Sequence, residues 1–140
     1  MALRKKLEKA ISDLSLDLTK KVVLTEAATG AYSVTALLAA LSGAEVYAYA
    51  KDTKYGIATE VFDQMKKESK NLNIHFIENL SDDVVAKADI ITNSGHLRPL
   101  NKSKLKHVKN SAVIALMYEA WEFRNEDIDL SFCKEKKIPV

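Results

Sequence analysis

A strand–turn–helix–strand unit between residues 22 and 50 constrains this chain more than any other feature. Val22-Val23-Leu24 is a short apolar run, Thr25-Glu26-Ala27-Ala28-Thr29-Gly30 turns the chain, and Tyr32 to Leu41 is apolar nearly throughout. Gly43-Ala44 ends that helix, and Val46-Tyr47-Ala48-Tyr49-Ala50 is a second β-rich run. Two parallel strands need a crossover of about a dozen residues or more, and this one has that length. Such units build open α/β sheets, whose ligands sit beyond the carboxyl ends of the strands.

The same alternation runs through the rest of the chain. A helix over 3–14 precedes a strand over 21–25, a helix over 31–42 and a strand over 45–50. Thr53 caps a predicted helix from Lys54 to Lys70, with Ala58, Val61, Phe62 and Met65 as its buried stripe. Ile74 to Ile77 reads as a third strand, and Ser81-Asp82-Asp83 opens a short helix with acids in its first turn. Asp89 to Asn93 is a fourth strand, stopping at Ser94-Gly95, and Ser103 to Val108 makes one or two helical turns. Ser111 to Met117 is nearly all apolar, the pattern of a strand covered on both faces. Leu130 to Lys136 is a last helical piece. The pattern predicts an α/β fold: a doubly wound parallel sheet of about five to six strands, order 3-2-1-4-5, in a three-layer α/β/α sandwich. Residues 1–18 form an N-terminal helix packed on the domain, which takes up residues 19–140. Ile138-Pro139-Val140 reads as the start of a sixth strand, so the chain is expected to continue in a longer protein.

Composition narrows the class. At 140 residues there is one domain with a real core, and 47% hydrophobic with 29% charged residues is ordinary for a soluble protein. A net charge of +2 gives no field strong enough to imply nucleic acid. No apolar run approaches the roughly 20 residues that cross a bilayer, so no membrane partner is expected. The basic first segment, Leu3 to Ile11, includes Glu8 and has no apolar core, so it is an amphipathic helix and not a signal peptide. Cys133 is the single cysteine, which excludes a disulfide framework and a zinc cluster and suits a reducing cytoplasm. No metal ligands are assigned, and Cys133 beside Phe132 reads as a packed residue.

Two places carry the candidate chemistry of a nucleotide. In a dinucleotide turn, glycines let the backbone approach a pyrophosphate that rests on helix N-terminal N–H groups. Counting back from Gly43 puts Ala27, Thr29 and Tyr32 at the expected glycine positions, and Gly30 takes one place after a small insertion. Thr29, Gly30, Ala31 and Tyr32 are therefore cofactor-binding candidates, with the Tyr32 ring crowding the turn; the alternative is a turn that binds nothing. The second place is the end of the second strand, where an acid holds ribose hydroxyls. That register falls on Ala50, followed by Lys51 and Asp52. Asp52 suits a free ribose; Lys51 and Lys54 suit a 2′-phosphate.

Among the histidines, His75 lies inside a strand and His107 in a surface turn, while His96 stands at the carboxyl end of the fourth strand beside Gly95 and Arg98. His96 is the candidate catalytic residue. Glu119, Trp121, Glu122 and Arg124 cluster after the fifth strand, either to orient a substrate or with Arg124 pairing Glu122 or Glu126.

The stretch from Ala88 through Asp89-Ile90-Ile91-Thr92-Asn93-Ser94-Gly95-His96-Leu97-Arg98-Pro99-Leu100-Asn101 to Leu105-Lys106-His107-Val108-Lys109-Asn110-Ser111-Ala112-Val113-Ile114 is the most specific in the chain. It resembles the NAD(P)-binding Rossmann domain of the D-2-hydroxyacid dehydrogenases and related dehydrogenases, over roughly residues 20–120. The resemblance implies an oxidoreductase domain using NAD or NADP. It also places Asn93, Ser94, Gly95, Met117, Tyr118 and Glu119 around the nicotinamide end of the groove. The family's glycine fingerprint is reduced here to Gly30, and Met117-Tyr118-Glu119-Ala120-Trp121 replaces the arginine that the family carries just after the fifth strand. Its catalytic acid and histidine lie further along than this chain extends, so an incomplete catalytic apparatus is expected.

Two other readings fit the same residues. Glu26-Ala27-Ala28-Thr29-Gly30-Ala31-Tyr32 can be laid on the acid–glycine turn of S-adenosylmethionine-dependent methyltransferases. Alternatively, a degenerate Rossmann domain serves as a dimerisation or regulatory module. A homodimer is compatible with both this module and the dehydrogenase reading.

Overall fold

The computed structural model describes residues 2–140; Met1, the first residue of the expected N-terminal segment, lies outside them. Five strands form one all-parallel sheet: β1 (Val22–Glu26), β2 (Glu45–Tyr49), β3 (Ile74–Ile77), β4 (Ile90–Asn93) and β5 (Val113–Leu116). Their order is β3-β2-β1-β4-β5, as the alternation predicts. The helices are α1 (Ala2–Asp13), α2 (Val34–Leu41), α3 (Ala58–Glu68), α4 (Asp82–Lys87), α5 (Lys102–Leu105) and α6 (Leu130–Lys136).

The period-2 alternation of each strand divides the core into two layers. Val23, Val46 and Ala48 point to one face, where Ala36, Ala39 and Ala40 of α2 and Phe62 and Met65 of α3 cover them. Leu24, Ile91 and Ile114 point to the other, under Val84 and Val85 of α4, Leu105 of α5 and Phe132 of α6. Burying an aliphatic side chain of this size contributes roughly 1.5–3 kcal/mol, so both layers are needed to hold the sheet. On the outside of the first layer, α1 lies against α2 and buries Leu7.

Helix starts follow local capping chemistry. The Ser81, Asn101 and Asp129 side chains accept hydrogen bonds from the N–H groups of Val84, Lys104 and Phe132, opening α4, α5 and α6.

The expected elements shift in three places. Residues 30–33 form a 3-10 turn closed by the Ser33 hydroxyl on the Gly30 carbonyl at 2.8 Å, so α2 starts at Val34 instead of residue 31. Thr53 caps nothing: it closes a small turn with Gly56, and α3 begins at Ala58, whose N–H is taken by the Asp52 carboxylate at 2.8 Å. β5 is an edge strand and not one covered on both faces, with Val113 at 42% and Leu116 at 41% exposure. The extended terminus reaches this edge, where the Ile114 N–H donates to the Pro139 carbonyl.

Candidate functional site

β1 lies between β2 and β4, and the chain leaves β1 over one face of the sheet and β4 over the other. The two departing connections open a crevice at the carboxyl ends of β1 and β4, the switch point where open α/β sheets bind ligands. A cleft of about 300 Å3 is found there. Glu26 enters it from β1, Ala31, Tyr32 and Thr35 from the turn and α2, Ser94, Gly95 and Arg98 from the segment after β4, and Met117 from the end of β5.

The turn is shaped by its backbone. Gly30 sits at φ +63°, a left-handed conformation that glycine adopts at little cost, and an added Cβ would meet nothing within 4 Å. The Ala27 and Ala28 N–H groups are committed to the Tyr49 carbonyl and the Met65 sulfur. The first N–H groups of the 3-10 turn have no partner inside it, as at every helix start, and the space beside the Gly30 Cα is open. Tyr32 is 73% exposed and stands on the rim of the cleft, so its ring does not fill the turn.

The wall after β4 is built around a carboxylate. Glu26 is buried, and its Oε2 accepts the His96 N–H at 3.3 Å. A Cβ on Gly95 would fall 1.8 Å from the same oxygen, so any other residue makes the Glu26 carboxylate shift, and φ +29° favours glycine there as well. Beneath it, the hydroxyls of Thr25, Thr92 and Ser94 form a buried chain with links of 2.7 and 2.9 Å, joining β1 to β4 under the cleft floor.

His96 is half-buried, and its Nδ1 accepts the Lys51 N–H at 2.9 Å while its ring meets the edge of Tyr49. With Nδ1 occupied as an acceptor, Nε2 carries the proton of the neutral ring and is the nitrogen left for other partners. Lys51 is thereby tied through its backbone to the loop after β4, and its side chain is exposed. Asp52 holds the start of α3 with one oxygen. Lys104 reaches back from α5 to donate to the Leu97 carbonyl at 3.0 Å. Burial and the nearby Lys51 charge hold its ammonium below the usual lysine range.

Asn93 is fully buried, and its Nδ2 donates to the Tyr118 hydroxyl at 3.3 Å. Glu119 is exposed, its N–H donating to the Glu122 carboxylate. Arg124 pairs with neither Glu122 nor Glu126: it clasps the buried Asp127 carboxylate at 3.0 and 3.2 Å. Of the candidates from sequence, Ala31, Tyr32, Ser94, Gly95 and Met117 therefore share one cleft. Thr29 and Gly30 adjoin it, Asn93 and Tyr118 form a pair alongside, and Lys51, Asp52 and His96 lie toward the end of β2. The sequence does not announce the burial of Glu26 or of Asp127. The one available signal is a pair of threonines, Thr25 and Thr92, each following an apolar run in its strand and preceding a polar residue, Glu26 or Asn93.

No family model matches the chain, and no curated protein matches it. Solved structures do. A shikimate dehydrogenase from Aquifex aeolicus superposes with a TM-score of 0.61 at 15% identity, over 98% of this chain and 47% of that one. Shikimate 5-dehydrogenase from Listeria monocytogenes, in complex with shikimate and NAD, gives 0.58 at 16% identity over 97% and 50%. Ornithine carbamoyltransferase from Gloeobacter violaceus gives 0.57 at 12% identity over 94% and 49%. The chain thus spans half or less of each of these proteins. Dehydrogenases and a carbamoyltransferase share the arrangement, so what the likeness establishes is the architecture: this chain has a Rossmann-like α/β fold.

Proposed function

We propose that the domain binds a dinucleotide, NAD or NADP, as the nucleotide-binding part of a dehydrogenase-like oxidoreductase related to the D-2-hydroxyacid dehydrogenases. The observation that carries this reading is the cleft at the β1/β4 switch point, flanked by a turn in which Gly30 is unobstructed. The pyrophosphate sits at Thr29-Gly30-Ala31 and the adenosine ribose near Lys51 and Asp52. The nicotinamide end lies by Asn93, Ser94, Gly95, Met117, Tyr118 and Glu119. His96 acts through Nε2. The NAD-bound dehydrogenase among the structural neighbours supports the reading.

Gly30→Val tests it. A branched Cβ at φ +63° strains the turn by about 1–2 kcal/mol and blocks the approach to its N–H groups. Dinucleotide affinity measured by calorimetry should disappear while the thermal unfolding curve keeps its cooperativity. Retained affinity in the folded variant contradicts the assignment of the turn.

One observation favours a second reading, a methyltransferase-like domain binding S-adenosylmethionine. Glu26 ends β1 as a buried acid in the cleft, where that turn carries its acid. Glu26→Gln separates the two: it should abolish S-adenosylmethionine binding under the second reading and leave dinucleotide binding measurable under the first.

A further inference from the structure

We propose that His96 is a pH-operated latch: its neutral ring covers the carboxyl end of β2, where the adenosine ribose is placed, and swings clear when the ring takes up a second proton. The inference concerns the regulation of the nucleotide cleft and rests on the dinucleotide reading for what enters it. The ring belongs to the loop after β4, yet it reaches past the end of β1 to the segment after β2. Its Nδ1 accepts the Lys51 N–H at 2.9 Å, and it stands at 84° to the ring of Tyr49 in β2, with centres 6.5 Å apart. The cleft of about 300 Å3 is lined by Glu26 and Gly95 but by neither Lys51 nor Asp52, so it stops short of the place that the ring covers. That volume is at the bottom of the ~300–1,000 Å3 range of ligand pockets, and a dinucleotide needs the β2 end as well.

The backbone beneath the ring is held independently of it. The His96 N–H donates to Glu26, Leu97 is fully buried, and the Leu97 carbonyl accepts from Lys104 of α5 at 3.0 Å. The side chain is therefore the part free to move, and among the described residues the Lys51 hydrogen bond is its one polar restraint. That bond needs an unprotonated Nδ1. An imidazolium sets a second N–H against the Lys51 N–H and adds a positive charge on the side of Lys51 and Lys104. Arg98, on the same loop, is turned toward Asp127 at 3.9 Å, which leaves Glu26 as the acid nearest the ring. Glu26 stands at the end of β1, so it draws an imidazolium away from β2 while the two lysines repel it.

The test follows the His96 ring nitrogens and the exchange protection of the Lys51 amide by NMR from about pH 8 to about pH 5, with calorimetric titration of NAD and NADP at both ends. Protection of the Lys51 amide should fall about three- to tenfold as His96 titrates, and dinucleotide affinity should rise by a similar factor. His96→Ala should bind dinucleotide with the low-pH strength throughout. His96→Asn puts a non-titrating acceptor at the Nδ1 position, so it should stay closed at both ends and report any titration of the ligand itself. Lys51 protection that ignores the His96 titration, or weaker dinucleotide binding by a folded His96→Ala at every pH, overturns the latch. Dinucleotide bound equally by all three proteins at both ends overturns it and leaves the dinucleotide reading intact. Lys51 protection that follows His96, with no dinucleotide bound by any of the three, upholds the closure and removes that reading.

Discussion

At the scale of single residues, the contact between Gly95 and Glu26 decides the shape of the cleft wall. Gly95→Ala drives a methyl group into a buried carboxylate and should cost about 1–3 kcal/mol in urea unfolding. In a Glu26→Ala background the collision is gone, and only the backbone strain remains, so the two changes should be strongly non-additive. Additive effects would show that the carboxylate is not what confines Gly95. Cys133 makes the opposite kind of prediction. It is 1% exposed, and burial first, then Asp129, pushes its thiol above the usual cysteine value. Labelling with a thiol reagent at neutral pH should therefore be slow until the protein unfolds; rapid labelling of the native state would contradict this packing. Residue by residue, the sequence displays Gly30, because one glycine in an otherwise small-residue turn stands out. It does not display the Glu26–Gly95 contact or the Arg124–Asp127 pair, since nothing in a one-dimensional pattern says where a charged side chain aims.

Among elements, the start of the sheet is tied by Asp89. Its carboxylate accepts from the Val22 N–H at 2.8 Å and pairs with Lys109 at 3.0 Å, joining β1, β4 and the segment before β5. Burial on its own would raise the carboxyl, but the Val22 hydrogen bond and Lys109 outweigh it and hold the group below its ordinary value of 3.8. A carboxylate depressed on folding contributes stability that is complete above the unfolded value and is lost as pH falls through the lower folded value. Thermal stability should therefore fall below pH 3.8, and Asp89→Asn should flatten that acid limb. It should also remove about 1 kcal/mol at neutral pH, a modest figure because the pair is partly exposed. An unchanged acid limb in Asp89→Asn would assign it to other carboxylates. Element identity and order are readable from periodicity, as are the starts of β3, α4 and α6; the starts of α2 and α3 are not. The cap of α3 comes from Asp52, six residues before the N–H it serves, whereas local spacing favours Thr53. The Gly30–Ser33 segment has helical composition but turns more tightly, closed by a serine hydroxyl.

The whole molecule is a sheet read from its alternating pattern, with ligand chemistry placed where the topology reverses. The order β3-β2-β1-β4-β5 follows from five strands joined by helical connections, and the exposure of Val113 and Leu116 in β5 escapes sequence reading because an edge strand can be as apolar as a central one. The cleft itself was legible in outline, since strand ends are visible in sequence and ligands gather there. Its partition into an open turn, a carboxylate wall and a loosely paired arginine depends on side chains brought together from 70 residues apart. The central claim, that this crevice receives a dinucleotide, is met most directly by calorimetric titration of the purified protein with NAD, NADP and S-adenosylmethionine in parallel. Saturable one-to-one binding of NAD or NADP, lost in Gly30→Val, is the expected result. Binding of S-adenosylmethionine alone, or silence from all three, would contradict it.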